Sequence, residues 1–148
     1  MCLILPLKRN VNPRYRKRRR KAQRQGKQGR MAKILLAEDD PTMISLLQTL
    51  LKMEGFETVA LDIEADVPKA VLLERPDVLF MDVHLGKQSG MDIVESIRKD
   101  PQIASIRVVM TSGFNVREEC LRRGADDFLL KPFMPDDLIG ILQSTARI

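Results

Sequence analysis

The sequence has few of the residues on which several protein classes depend. Its 148 residues include two cysteines, Cys2 and Cys120, and one histidine. This set gives neither a disulfide framework nor the ligand spacing of a zinc site, and it predicts a reducing, cytoplasmic setting. No apolar run approaches the roughly eighteen residues of a membrane-spanning helix, so we expect no membrane span. No Gly-x-Gly-x-x-Gly follows the first strand-like run, which argues against a dinucleotide-binding site.

Acidic residues are also absent from the first thirty positions. This segment holds twelve Lys or Arg and no Asp or Glu, whereas residues 31–148 hold thirteen basic and twenty acidic residues. The formal charge of +5 therefore combines a segment of +12 with a body of −7. We predict a basic disordered tail over residues 1–30 and one folded domain over residues 31–148.

Residues 31–148 alternate between short apolar runs and segments of helical period. The apolar runs predict five strands, over residues 34–37, 56–61, 78–81, 106–110 and 128–130. Helices are predicted between and after them, with start signals at Asp40-Pro41, Asp66-Val67-Pro68, Asn115 with Glu118, and Pro135, and after a polar loop over residues 86–90. Five alternating strands and helices predict an α/β fold with a doubly wound parallel sheet.

Polar residues follow four of these five strands. Glu38 and Asp39 come after the first strand, Asp82 after the third, Thr111 after the fourth and Lys131 after the fifth. The carboxyl ends of parallel strands share one rim of a sheet, and open α/β sheets bind their ligands at that rim. We therefore expect these five side chains to lie in one site.

Each of these residues taken alone has a more common role as a helix cap, a strand end or a solvated charge. Together they would crowd three carboxylates, which repel one another by about 1–4 kcal/mol per close pair unless a cation compensates. Carboxylate oxygens suit Mg²⁺, and Asp82 could attack a phosphoryl donor as a nucleophile. Lys131 and Thr111 could then contact the phosphoryl oxygens. The pattern predicts a magnesium-dependent phosphoacceptor site.

Four motifs in order make the chain similar to the receiver domains of response regulators in two-component signalling. They are Leu-Leu-Ala-Glu38-Asp39-Asp40, Phe-Met-Asp82-Val-His-Leu, Met-Thr111-Ser-Gly and Asp-Phe128-Leu-Leu-Lys131-Pro132-Phe133. The resemblance covers essentially all of residues 32–148. It implies a flavodoxin-like (CheY-like) fold with five helices and a five-stranded parallel sheet in the order 2-1-3-4-5.

The resemblance also implies how the acidic residues are used. Asp82 would be the phosphoacceptor and a ligand of Mg²⁺. Asp39 would bind the ion directly and Glu38 through water, and the backbone carbonyl of His84 would be a further metal contact. Asp40 would be a helix cap and not a ligand.

The remaining motif residues would respond to the phosphoryl group. Thr111 and Lys131 would bind it, and Thr111 with Phe128 would form a switch that changes the surface made by helix four, strand five and helix five. The Lys131-Pro132 peptide bond would be cis, as is typical of the family. A sensor histidine kinase or a phosphotransfer protein would supply the phosphoryl group, and a downstream protein would bind the altered surface.

No further domain follows the last predicted helix, so we predict a stand-alone phosphoacceptor switch and not an enzyme with an external substrate. The basic tail leaves an alternative, in which a non-phosphorylated adaptor uses the tail to bind nucleic acid. The tail also has a second interpretation: Met31 is the true start, because receiver domains usually begin as the sequence from Met31 does. We favour a start at Met31, since a basic run without cap or apolar period is not part of the fold.

Overall fold

The computed structural model describes residues 31–146, so the predicted tail lies outside the described residues. Five parallel strands form one sheet, in the order β2-β1-β3-β4-β5. The strands are β1 Lys33–Ala37, β2 Glu57–Ala60, β3 Val78–Asp82, β4 Arg107–Ser112 and β5 Asp127–Leu130. This order confirms the flavodoxin-like fold that the sequence predicted.

Five helices cover the two faces of the sheet. They are α1 Pro41–Met53, α2 Val67–Glu74, α3 Gly90–Lys99, α4 Arg117–Arg122 and α5 Pro135–Ala146. None of the helices over residues 31–146 combines the length and the apolarity needed to cross a membrane.

The core is divided by the sheet into two layers. Successive strand residues point to opposite faces, so Leu35 and Leu79 pack with residues of α2, α3 and α4 on one face. Ile34 and Phe80 pack with residues of α1 and α5 on the other face. Every residue of β3 is buried, which explains why this central strand reads as a continuous apolar run followed by Asp82.

The helix starts agree with the sequence signals except at α4. The side chain of Asp40 accepts hydrogen bonds from the N–H groups of the next turn, with proline at the start of α1, as predicted. The prediction that Asn115 caps the fourth helix was wrong, because α4 begins at Arg117 and the residue before it, Val116, makes no side-chain cap. Asn115 lies one residue too far from the helix to fill the cap position.

The loop after β3 contains a short hairpin that the sequence did not indicate. His84–Leu85 pairs antiparallel with Gln88–Ser89, in a region that the sequence presented only as polar and rich in glycine. The hairpin brings the chain directly into α3, whose first residue is Gly90. It therefore fixes the path between Asp82 and the helix.

Gly90 is expected to tolerate no side chain. A Cβ at this position would clash with the backbone oxygen of Asp82 and would lie 3.1 Å from the Cα of Val83. We predict that Gly90→Ala lowers the free energy of unfolding by about 1–3 kcal/mol, measured by urea titration. The matched control is Gly113→Ala, because a Cβ on Gly113 would meet nothing within 4 Å. The control should change stability by less than about 0.5 kcal/mol, and equal losses in the two variants would contradict the argument.

Candidate functional site

The sheet brings the predicted acids to one end of neighbouring strands. β1 and β3 are paired in register with Ala37 opposite Met81, so Glu38 and Asp39 leave β1 beside Asp82, the last residue of β3. One carboxylate oxygen from each of these three acids lies within 4.8 Å of the others. Parallel register, and not proximity in sequence, therefore assembles the cluster.

The three acids differ in their exposure to solvent. Glu38 is 2% exposed and Asp82 is 7% exposed, whereas Asp39 is exposed. Two buried carboxylates beside a third are unfavourable unless positive charge or hydrogen-bond donors surround them. Hard oxygen donors at this spacing fit Mg²⁺, which is commonly held by one or two carboxylates together with waters and phosphate oxygens.

Lys131 supplies positive charge to the two buried acids. Its Nζ lies 2.8 Å from Oε2 of Glu38 and 2.5 Å from Oδ2 of Asp82. Burial raises the pKa of Glu38, and the hydrogen bond and charge of Lys131 offset this only in part. Burial also lowers the pKa of the Lys131 ammonium, but its hydrogen bonds to Asp82 and Glu38 outweigh that effect, so its pKa is raised overall. Lys131 is thus held in its charged form.

Backbone amides orient the same carboxylates. Oε1 of Glu38 accepts hydrogen bonds from the N–H groups of Asp39 and Asp40, both at 3.2 Å. Oδ1 of Asp82 accepts from the N–H of His84 at 2.8 Å. Oδ2 of Asp39 accepts from the N–H of Gly86 at 3.2 Å. These hydrogen bonds stabilise each carboxylate and fix the orientation of its oxygens.

Thr111 is the residue of β4 that lies opposite Asp82 in the sheet. It belongs to β4 and does not follow it, since the strand continues to Ser112. The side chain is fully buried, and its hydroxyl donates to the carbonyl oxygen of Leu129 on β5 at 2.7 Å. The structure therefore brings Thr111 next to the acids but directs its hydroxyl toward β5.

Phe128 and Pro132 lie on either side of Lys131 in the sequence. Phe128 is 6% exposed and packs in the core on the face covered by α2, α3 and α4. Its carbonyl oxygen accepts a hydrogen bond from Arg117 of α4 at 3.3 Å. The Lys131-Pro132 peptide bond is cis, as predicted.

Two glycines contribute to the site in ways that the sequence reasoning missed. Gly86 has φ of +58° and places its N–H on Asp39, and Gly90 lets α3 approach the backbone of Asp82. Sequence offers no signal for the amide of Gly86, because a backbone donor leaves no mark on residue type. Gly90, in contrast, is a signal that the sequence does offer. Glycine is a poor helix former, so a glycine in the first turn of α3 indicates that another backbone comes close.

Related proteins support the assignment of this fold. Over 117 residues the chain is 34% identical to the transcriptional regulatory protein CpxR of Klebsiella pneumoniae, an overlap that covers 79% of this chain and 50% of that protein. The chain spans about half the length of the curated relatives it matches. It is also similar to a solved CheY-like receiver domain from Methylobacillus flagellatus, with 28% identity, a TM-score of 0.69, and coverage of 78% of this chain and 99% of that one.

A second solved structure shares the fold at lower identity. The receiver domain of the sensor histidine kinase PA1611 from Pseudomonas aeruginosa is 24% identical, with a TM-score of 0.70 and coverage of 80% of this chain and 100% of that one. That structure has a magnesium ion coordinated in its active-site cleft. The family profile for the response regulator receiver domain matches residues 34–143. The chain therefore belongs to the response regulator receiver domain family of two-component signalling.

Proposed function

We propose that this receiver domain accepts a phosphoryl group on Asp82 and signals through protein contacts that depend on phosphorylation. The observation that carries the proposal is the position of the Lys131 ammonium, within hydrogen-bond distance of both Glu38 and Asp82. An ammonium that joins two acids of a three-carboxylate cluster can move to the oxygens of an incoming phosphoryl group. The acids that it leaves are then available to a divalent cation.

Asp82 is the nucleophile in this proposal. One of its carboxylate oxygens attacks the phosphorus of a phosphohistidine on a sensor kinase or a phosphotransfer protein. A P–O bond forms to Asp82, and the P–N bond breaks with its electron pair passing to the ring nitrogen, which takes up a proton so that a neutral imidazole leaves. Asp82 ends as an aspartyl phosphate, so the chain is a phosphoacceptor switch whose own chemistry is limited to gaining and losing this group.

We assign Mg²⁺ to Glu38, Asp39, Asp82 and the backbone carbonyl of His84. When bound, the ion would offset the negative charge that the acids and the phosphoryl oxygens bring together. The chain's own contribution is to hold the acids in position. The backbone amides after β1 bind Glu38, the amide of His84 binds Asp82, and the amide of Gly86 binds Asp39.

Thr111 and Phe128 form the proposed switch. The Thr111 hydroxyl is hydrogen-bonded to Leu129, so contact with a phosphoryl oxygen requires it to leave β5 and turn toward Asp82. Arg117 links α4 to the same strand through Asp127, at 2.8 Å, and through the carbonyl oxygen of Phe128. A change at Thr111 would therefore reach the surface formed by α4, β5 and α5, where we place the downstream protein contact.

The wider biological setting is part of the same proposal. We propose a cytoplasmic protein in which residues 31–148 act as the receiver domain. The alternative function is a non-phosphorylated adaptor that uses residues 1–30 to bind nucleic acid, and the charge of +12 on that segment supports it.

We predict that incubation with acetyl phosphate and Mg²⁺ adds one phosphoryl group to the chain, and that Asp82→Asn abolishes the addition. Asparagine keeps the size of the side chain but lacks the nucleophilic carboxylate oxygen. Intact-mass spectrometry measures the product. Asp136→Asn, at an exposed position of α5, is the matched control and should be labelled like the wild type. Failure to label the wild type would contradict the proposal and favour the adaptor.

Asp39→Asn is expected to weaken Mg²⁺ binding by tenfold or more, because it removes a charged ligand, and two unit charges interact by about 1–4 kcal/mol even at about 4 Å. Isothermal titration calorimetry with MgCl₂ measures the affinity. The control is Asp40→Asn, which removes a neighbouring charge but keeps a residue that caps helices well. An equal loss in both variants would mean that only the total charge of the rim matters and that Asp39 is no ligand.

Thr111→Val should leave labelling of Asp82 intact, but phosphorylation should no longer affect β5. Valine keeps the shape of threonine and lacks the hydroxyl that would contact the phosphoryl group. We expect phosphorylation to change amide hydrogen exchange in Asp127–Leu130 of the wild type and of Thr111→Ser, and to leave it unchanged in Thr111→Val. An unaltered response in Thr111→Val would remove Thr111 from the switch.

A further inference from the structure

One loop carries the two amides that orient acids from two different strands. The loop between β3 and α3 donates the N–H of His84 to Asp82 at 2.8 Å and the N–H of Gly86 to Asp39 at 3.2 Å. The position of this loop therefore sets the direction of both carboxylates. Whatever holds the loop also holds the acidic site.

The loop is fastened to its neighbour by the side chain of Gln88. Nε2 of Gln88 lies 3.1 Å from the carbonyl oxygen of Ile63 and 3.3 Å from that of Ala65. Both partners are carbonyl oxygens, so the nitrogen of the amide, with its two hydrogens, must face them. Gln88 thus spans from the hairpin to the segment between β2 and α2.

The segment that receives Gln88 is itself a closed turn. The N–H of Ala65 donates to the carbonyl oxygen of Asp62 at 2.9 Å, and the N–H of Glu64 donates to the Asp62 side chain at 3.3 Å. These bonds fix the direction of the carbonyls on which Gln88 docks. The anchor is therefore an ordered turn that precedes α2.

The tip of the hairpin is exposed, although Leu85 beside it is buried in the core. Gly86 and Lys87 are exposed, and Gly86 adopts the left-handed conformation, which glycine enters without steric cost. The side chain of Ile63 lies over Gly86, where an added Cβ would approach its Cγ1 to 2.8 Å. The turn that binds Gln88 therefore also contacts the tip, through the side chain of Ile63.

We propose that Gln88 is a positioning residue for the metal site, which acts by holding the hairpin so that its amides keep Asp39 and Asp82 in their binding orientation. The inference rests on the proposed function, because it assigns Mg²⁺ to these acids. Without the Gln88 amide the loop would have to be ordered when the ion binds, at a cost in affinity. Groups that orient metal ligands typically change metal affinity by about 10–100-fold when they are lost. Gln88 does not contact the acids itself but holds the hairpin whose backbone amides orient them, so we expect the lower end of this range, about tenfold.

The test compares four forms of the full chain: wild type, Gln88→Met, Gln88→Ala and the control Gln48→Met, a half-buried glutamine of α1. Methionine keeps the length of the side chain but has no N–H donor, and alanine keeps the proposal testable if one variant does not fold. Titration with MgCl₂ gives the dissociation constant, thermal unfolding without Mg²⁺ gives the stability, and labelling with acetyl phosphate over a range of Mg²⁺ gives the rate at saturation.

Both Gln88 variants are expected to raise the dissociation constant for Mg²⁺ about tenfold and to reach the wild-type labelling rate once Mg²⁺ is saturating. Gln48→Met should bind Mg²⁺ like the wild type. Wild-type affinity in the Gln88 variants would overturn the inference. A labelling rate at saturation that falls together with the melting temperature would overturn it too, because Gln88 would then serve only stability. If the wild type binds no Mg²⁺, this inference and the metal assignment both fail, whereas a failure confined to the Gln88 variants leaves the proposed function intact.

Discussion

The structure depends on keeping like charges together at one end of a parallel sheet. Glu38 and Asp82 are almost fully buried next to each other. Burial raises the pKa of Glu38, and Lys131, which donates hydrogen bonds to both acids, offsets that rise in part. The lysine directly follows β5, at one edge of the sheet, and the two acids lie at the carboxyl ends of β1 and β3. The same ion pair therefore joins three strand ends and prepares them for a ligand that carries its own charge.

Backbone amides also stabilise the acidic cluster, together with Lys131. Each of the three acids accepts at least one N–H from the loops at the carboxyl ends of β1 and β3. A donor that is already aimed at a carboxylate does not have to be reorganised when charge arrives, which is the advantage of a preorganised site. The hairpin between Asp82 and α3 is central to this arrangement, because it orients one acid from each of the two strands. Thr111 differs from the acids, since its hydroxyl donates a hydrogen bond to β5 and so links the site to the edge strand of the sheet.

Much of this molecule could be predicted from local sequence. The buried strands read as apolar runs because both faces of the sheet are covered by helices, and Asp40-Pro41 has the chemistry of a helix start. Asn115 shows the limit of such signals, since it is a good capping residue that lies one position before the cap of α4, Val116. The hairpin after β3 could not be predicted, because its two-residue strands are too short for any alternation to be visible. Its anchor, Gln88, is an ordinary polar residue in the sequence.

The sequence by itself determined the α/β alternation, the polar residues at the strand ends and the motifs that identify the family, because these depend on residue type and local spacing. The tertiary structure alone decided which oxygen of each acid is held, which way the Thr111 hydroxyl points, and that the turn before α2 binds the side chain of Gln88. Those features depend on hydrogen bonds between segments far apart in the chain, many of them made by backbone groups. Every residue carries the same backbone donor and acceptor, apart from proline, so only the folded arrangement reveals which of them are used.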